Sequence, residues 1–327
     1  MRNQVSEMSK NDMNTTPLSI KQELKQSPNP RRLIHYTPLR YPGGKTKLAS
    51  FVKRIIEENG LIGGQYAEPY AGGAGIALSL LFHDFVSHIH INDVSKPIYA
   101  FWKSVLMETE QLIKMIRDTK VTVDMWDRQK RILDHSNDND DLTLGFATFF
   151  LNRTNRSGIL NGGIIGGRDQ TGPWKIDARY NSSQLIYRIE SIAKHRSRIS
   201  ISGEDAIEFL KKRLKTFPAK TLIYLDPPYY AKGKDLYFDY YVHDDHAKIA
   251  QFVTGKINRQ KWIVSYDNVD VIRRLYRGHT NIIYELGYSA REARIGSEAL
   301  FFCNNLTVSR PIEEIKVRRF SQFIKGA

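Results

Sequence analysis

The sequence predicts a doubly wound, mainly parallel α/β sheet interrupted by an inserted, mostly helical segment. Three observations carry this expectation. Short apolar runs alternate with helical periods from Leu39 to Val105, the alternation returns from Ile199 to Cys303, and over residues 108–196 it stops.

Residues 1–36 are polar, contain Pro17, Pro28 and Pro30, and are expected to form a flexible arm. Lys45–Asn59 places Leu48, Phe51, Val52, Ile55 and Ile56 on one helical face. Tyr66–Pro69 reads as a short strand leading through a glycine-rich turn into a helix, Ile76–Phe82. A second strand, His88–Asn92, ends at Asp93 before a helix that runs to Val105. The interruption has helical segments near Gln111–Arg117, Met125–Leu133 and Leu142–Leu151, then a Gly- and Arg-rich stretch, NRTNRSGILNGGIIGGRDQTGPWKIDARYN. In the second block Ile199–Ser202 precedes the amphipathic EDAIEFLKKRL, Thr221–Leu225 precedes Asp226, and Trp262–Tyr266 precedes a helix over Val269–Tyr276. Strands Ile282–Leu286 and Ala299–Cys303 follow, joined by YSAREARIGSE. The expected organisation is a discontinuous core (37–107 and 197–310), an insert (108–196) and a C-terminal tail (311–327).

Composition narrows the class. The 327 residues carry 49 Lys and Arg against 35 Asp and Glu, a formal charge of +14, and such an excess favours a polyanionic partner such as nucleic acid. A soluble basic protein without that partner has the same charge, so composition names no reaction. No apolar run approaches the ~18 residues of a membrane span, and the first residues lack the apolar stretch of a signal peptide. The single cysteine, Cys303, excludes an internal disulfide and a cysteine-based zinc site, which fits a reducing cytoplasm. The histidines show no metal-ligand spacing. His243 and His246 flank two aspartates in VHDDH, which reads as a helix start capped by Asp244.

Three motifs carry chemistry. PGGKT, residues 42–46, lacks the upstream glycine of a phosphate loop, because Leu39 stands in that place; Lys45 at a helix start suits a carboxylate or another anion. AEPYAGGAG, residues 67–75, lies at a strand-to-helix turn, and Asp93 follows Gly72 by 21 residues. That offset is close to the ~20 residues at which an acidic side chain binds ribose hydroxyls. The pair fits an adenosine-containing cofactor, or a tight turn plus an Asp that caps its helix. In TLIYLDPPYY an apolar strand runs into Asp226, Pro227, Pro228 and Tyr229. The prolines remove two amide donors, so the Asp226 carboxylate and the Pro227 carbonyl are free to accept both hydrogens of an exocyclic amine. Holding both N–H bonds favours a pyramidal nitrogen whose lone pair faces a methyl donor, with Tyr229 stacked on the base. The base must leave the duplex, at a few kcal/mol, of which one aromatic stack returns ~1–3 kcal/mol. The aromatic run at residues 237–241 suits either a wall of the base pocket or ordinary packing.

The ordered motifs LRYPGGK, EPYAGGAG, INDVS, SGEDA and DPPY make the sequence resemble the Dam-like (α-group) N6-adenine DNA methyltransferases over roughly residues 37–305. The resemblance implies a class I methyltransferase-type, Rossmann-like sheet with an inserted target-recognition domain. It implies S-adenosyl-L-methionine as donor, S-adenosyl-L-homocysteine as product, double-stranded DNA as substrate and adenine flipping. It places Tyr41, Lys45, Glu68, Tyr70, Gly72, Asp93, Asp205 and Asp226 at the cofactor and Asp226, Pro227, Pro228 and Tyr229 at the reaction. Ala74 departs from the family pattern, standing where many members have a second glycine, and the region after Asn152 matches only in part. Arg153, Arg156, Arg168, Arg179, Arg291 and Arg294 are candidate DNA contacts, for phosphate more than for base edges. The same amine geometry would serve RNA adenine or cytosine N4, and a silent, basic DNA-binding protein is the rival of another class. A separate restriction or defence partner and the oligomeric state stay open.

Overall fold

The computed structural model describes residues 36–40, 45–230, 241–288, 294–310 and 315–323. The expected N-terminal arm, all but Tyr36, lies outside them. The fold is mixed α/β around one eight-stranded sheet: β1 (Gly64–Glu68), β2 (Val86–Asn92), β3 (Ile199–Ser202), β4 (Thr221–Leu225), β5 (Lys261–Asp267), β6 (Thr280–Tyr288), β7 (Arg294–Phe302) and β8 (Lys316–Ser321). The strand order is β3-β2-β1-β4-β5-β7-β6-β8. The first five strands run parallel, and β7, β6 and β8 add antiparallel pairings. All five residues of β4 are buried, as befits a central parallel strand covered on both faces.

Ten helices are present among the described residues. Those of the sheet units are α1 (Ala49–Glu58), α2 (Gly75–Phe82), α3 (Lys96–Met107), α8 (Ala206–Arg213), α9 (His243–Lys256) and α10 (Asp270–Leu275). Between β2 and β3 lie α4 (Thr109–Asp118), α5 (Val123–Asp134), α6 (Asp141–Thr154) and α7 (Ser182–Ala193). The helical face expected over Lys45–Asn59 is present as a short 3-10 turn, Lys45–Leu48, followed by α1, and its five apolar residues are all buried.

The structure adds two elements that the sequence reading left out. Helix α7 is one; Asn181 caps it and Leu185, Ile189 and Ile192 form its buried stripe. The other is β8, which occupies part of the expected tail and pairs with β6 at the sheet edge. Its charged, largely exposed residues suit an edge. The cap before α9 is also corrected. Asp245, not Asp244, accepts the Val242 N–H, at 3.1 Å, because Asp245 stands at the third helical position and its side chain reaches back.

The helices between β2 and β3 share their core with the sheet. Phe146, Phe149, Phe150, Tyr180, Leu185 and Ile189 belong to the same buried cluster as Tyr66, Ile223 and Trp262. Helix α6 is buried along nearly its whole length, and its Asp140 cap accepts the Thr143 N–H. It crosses α3 at Gly145, where a Cβ would stand 2.4 Å from Ser104 Oγ and 2.7 Å from the Ala100 carbonyl. No helix among the described residues is long and apolar enough to cross a membrane.

Because backbone sits opposite Gly145, a side chain there must separate α3 from α6. Gly145→Val is expected to lower unfolding free energy by about 1–3 kcal/mol in urea titrations. Unchanged stability would show that this crossing is not close-packed.

Candidate active site

The expected site residues gather where the parallel strands end. Glu68 closes β1, Asp93 follows β2, Asp205 follows β3 and Asp226 follows β4. The chain reverses direction across the sheet between β1 and β4, and the crevice at such a reversal is where open α/β sheets bind ligands.

Asn92 stitches three of these strand ends together. It is almost fully buried, and its amide donates to the Pro69 and Glu204 carbonyls at 3.0 and 2.9 Å. Its Oδ1 accepts from the Ser202 hydroxyl and the Glu204 N–H. Beside it, Asp93 Oδ2 accepts the Gly72 N–H at 2.8 Å and Oδ1 the Ser95 N–H at 3.0 Å. Trp102 Nε1 donates to the Gly72 carbonyl at 2.8 Å, so the glycine turn is held from both sides. Ala74 adopts φ 48° and ψ 34°, the left-handed region, at the start of α2. Ala74 therefore holds a backbone conformation that glycine takes without steric cost, and the alanine Cβ makes it costly.

Asp205 spends Oδ1 on the Ile207 and Glu208 N–H groups as the cap of α8. With Ile207, Tyr241 and Ile249, and with the charged Glu208, Lys211, Asp245 and Lys248, it lines a cleft of about 310 Å³. Tyr241 meets Tyr70 edge to face, hydroxyls 3.4 Å apart. Of the aromatic run at residues 237–241, Tyr241 alone is described.

At the centre is a buried charge cluster. Lys45 Nζ lies 3.1 Å from Asp226 Oδ1 and 3.4 Å from Glu298 Oε2, and it donates to the Tyr229 hydroxyl at 3.0 Å. The Tyr229 hydroxyl in turn donates to Glu298 Oε1, and the Tyr284 hydroxyl donates to Oε2 at 2.6 Å. The Lys45 ammonium also stands 4.9 Å from the Tyr229 ring centroid. Burial alone would discharge Lys45, but Asp226 and Glu298 reverse that and hold its pKa well above the usual value. Burial pushes Asp226 up to about 6; Lys45 opposes this rise and Glu298 adds to it. Glu68 is pushed up to about 8 by burial, although the Tyr66 hydroxyl and Ala77 N–H both donate to its Oε1.

Lys45, Asp226 and Tyr229 are thus brought into direct contact. Pro227 is buried, and the Asp226 side chain keeps a fifth of its surface open. Tyr41 and Arg291 lie outside the described residues; Arg294 opens β7, but its side chain is not described. Among the candidate DNA contacts, Arg168 is committed to a two-pronged ion pair with Asp127 at 2.8 Å, and Arg156 Nε donates to the Ile164 carbonyl. Sequence reasoning missed Glu298, Asn92 and Tyr284. The signal for Glu298 was an acidic residue directly ahead of the apolar ALFF, where only a paired carboxylate survives burial.

Residues 41–288 match the family described as D12 class N6 adenine-specific DNA methyltransferase. The chain is similar to the type II methyltransferase M.MjaIII of Methanocaldococcus jannaschii, at 24% identity over 73% of this chain and 87% of that protein. It is also similar to the retron Ec67 DNA adenine methylase of Escherichia coli, at 21% identity over 81% of this chain and 90% of that protein.

The raised Glu68 pKa links to stability with a definite sign. The native state keeps this proton up to about pH 8, whereas the unfolded chain loses it near the ordinary value of 4.5, so stability is lost as pH rises between the two. Glu68→Gln keeps the acceptor oxygen and removes the titration. Urea unfolding at pH 5 and pH 8.5 should show wild type losing stability relative to the variant as pH rises; a pH-independent difference would contradict this.

Proposed function

The chain belongs to the D12 class N6 adenine-specific DNA methyltransferase family, and on that premise we propose that its Asp226–Tyr229 loop holds the amine of an adenine turned out of the duplex. It is an adenine-specific DNA methyltransferase, and its substrate is DNA. The observation that supports the loop assignment is the Asp226 carboxylate at the strand-reversal crevice, seated on a buried cation with one side open.

Above about pH 6 Asp226 is ionised and only accepts hydrogen bonds. Its carboxylate and the Pro227 carbonyl take the two N–H bonds of the amine, and Pro227 and Pro228 offer no N–H to compete. As the nitrogen gains a methyl group it gives up one proton, and a carboxylate with a raised pKa is a better acceptor than an ordinary one. Tyr229 is fixed through its hydroxyl, which accepts from Lys45 and donates to Glu298, so the ammonium sits at the hydroxyl edge of the ring. That ring is only 2% exposed, so a base stacks on it only after the residues packed around it shift.

The family implies a methyl donor, and the residues present fit S-adenosylmethionine. Asp93 anchors the glycine turn, Asp205 keeps a carboxylate oxygen beyond its capping bonds, and Ile207 and Tyr241 offer apolar surface to a ring. When bound, this group supplies an electrophilic methyl. Helices α4–α7 and the Gly- and Arg-rich stretch after α6 form the part that meets the target sequence.

Purified protein with tritiated donor should label adenine in duplex DNA, and Asp226→Ala should reduce labelling at least a hundredfold while leaving duplex binding nearly intact. Full activity in that variant would overturn the amine assignment. Preferential labelling of RNA or cytosine would overturn the substrate, and calorimetry showing no donor binding would favour the silent DNA-binding rival.

A further inference from the structure

Four arginines meet at the C-terminal end of α6 without a carboxylate, among the described residues, within ion-pair distance. Arg153, in the last turn of α6, donates from Nε to the Arg179 carbonyl at 2.7 Å and from Nη1 to the Pro38 carbonyl at 3.4 Å. Arg188 of α7 donates to the Thr37 carbonyl at 3.0 Å, and Arg40 donates to the Asn155 carbonyl at 3.1 Å. The guanidinium of Arg179 lies 5.4 Å from the ring centroid of the exposed Trp174.

These charges are close enough to repel. Burial first, then Arg40, Arg188 and Arg179, depress the Arg153 pKa, and burial and Arg179 depress that of Arg40. Several arginines elsewhere are paired: Arg168 faces Asp127, Arg198 faces Asp84 and Arg318 faces Glu285. Arg40, Arg153 and Arg188 donate to backbone carbonyls and Arg179 lies against Trp174, and each guanidinium has five N–H donors, so most of the donors stay open. Tying residues 37–40 to α6 needs hydrogen bonds but no net charge, and the Asn152 amide already supplies them, bonding Arg40 N and O at 2.7 Å each. The surplus charge calls for an anion from outside the protein.

Location narrows that anion. Arg40 precedes Lys45 by five residues, and five residues reach at most ~18 Å, so the quartet lies within a few nucleotide steps of a base held at Asp226. We infer that Arg40, Arg153, Arg179 and Arg188 form a phosphate clamp that grips the DNA backbone beside the flipped adenine and positions the strand without reading its sequence. Guanidinium forks match phosphate oxygens two at a time, which lysines at these positions would not. The inference rests on the reading of the chain as a DNA methyltransferase, and it gives Arg40 and Arg188 a role that the sequence did not reveal.

Arg179→Gln and Arg188→Gln in the full chain test it, with duplex affinity measured by fluorescence anisotropy from 50 to 200 mM salt on duplexes of several sequences. Each variant should lower the slope of log K against log salt by about one, so that its deficit relative to wild type shrinks about threefold across that range, equally on every duplex. Melting without DNA should not fall, because each change removes a repelling charge. Unchanged slopes in variants that fold and bind the donor overturn the clamp, and a lowered melting temperature beside an unchanged slope makes the arginines structural. A loss confined to one sequence makes them base readers and overturns the phosphate assignment. Wild type that binds no duplex overturns the underlying DNA reading itself.

Discussion

A single buried cation organises the active end of this protein. Lys45 is 6% exposed and is held between Asp226 and Glu298, so one positive charge serves two carboxylates and leaves one negative charge in surplus. Removing one partner from a buried ion pair typically costs 3–5 kcal/mol, since the remaining charge is stranded. The three groups come from the segment ahead of α1, the exit of β4 and the antiparallel strand β7, and Tyr229 and Tyr284 close the ring of hydrogen bonds. Burial first, then Glu298, push the Asp226 pKa up to about 6 against the opposing pull of Lys45, between an ordinary carboxylate and a full base. Such a group is ionised at neutral pH yet still accepts a proton readily.

The sheet makes this arrangement possible. Parallel strands bring their carboxyl ends to one edge, and the reversal between β1 and β4 opens the crevice that Asp226 faces. Asn92 and Asp93 convert loose loop ends into a fixed rim by satisfying backbone groups of neighbouring turns. Because α6 shares its core with the sheet, the arginines at its end are held rigidly relative to that rim. The end of α6 and the strand ends around Asp226 therefore rest on one packed body.

Much of the fold was legible because strongly periodic segments leave few alternatives. Ile199–Ser202 and Thr221–Leu225 agree residue for residue with β3 and β4, and the motif order alone brought Lys45, Asp93 and Asp226 to one edge. Strand β8 was not legible, since KVRRFS is polar and its pairing is set by an exposed edge rather than by burial. Helix α7 carried a readable stripe, which the arginines around it obscured. Glu298 is the instructive omission. It stands 72 residues beyond Asp226, and only the antiparallel register, with Asp267 opposite Glu298, turns its side chain toward Lys45. Local pattern does not encode such a pairing. The arginine quartet was half visible, because its repulsion arises from tertiary convergence of residues 40, 153, 179 and 188.

The central claim is that Lys45 governs the ionisation of the carboxylate that holds the amine. Glu298, Glu68 and Tyr224 also surround Asp226, and Lys45 is the cation among them. The direct measurement is the single-turnover methylation rate against pH, at saturating donor and duplex, for wild type and Lys45→Met. Wild type should show an acid limb near pH 6, and the variant should show that limb displaced to higher pH, with part of its lost rate regained in alkaline buffer. A limb at the same pH in both proteins would contradict the account.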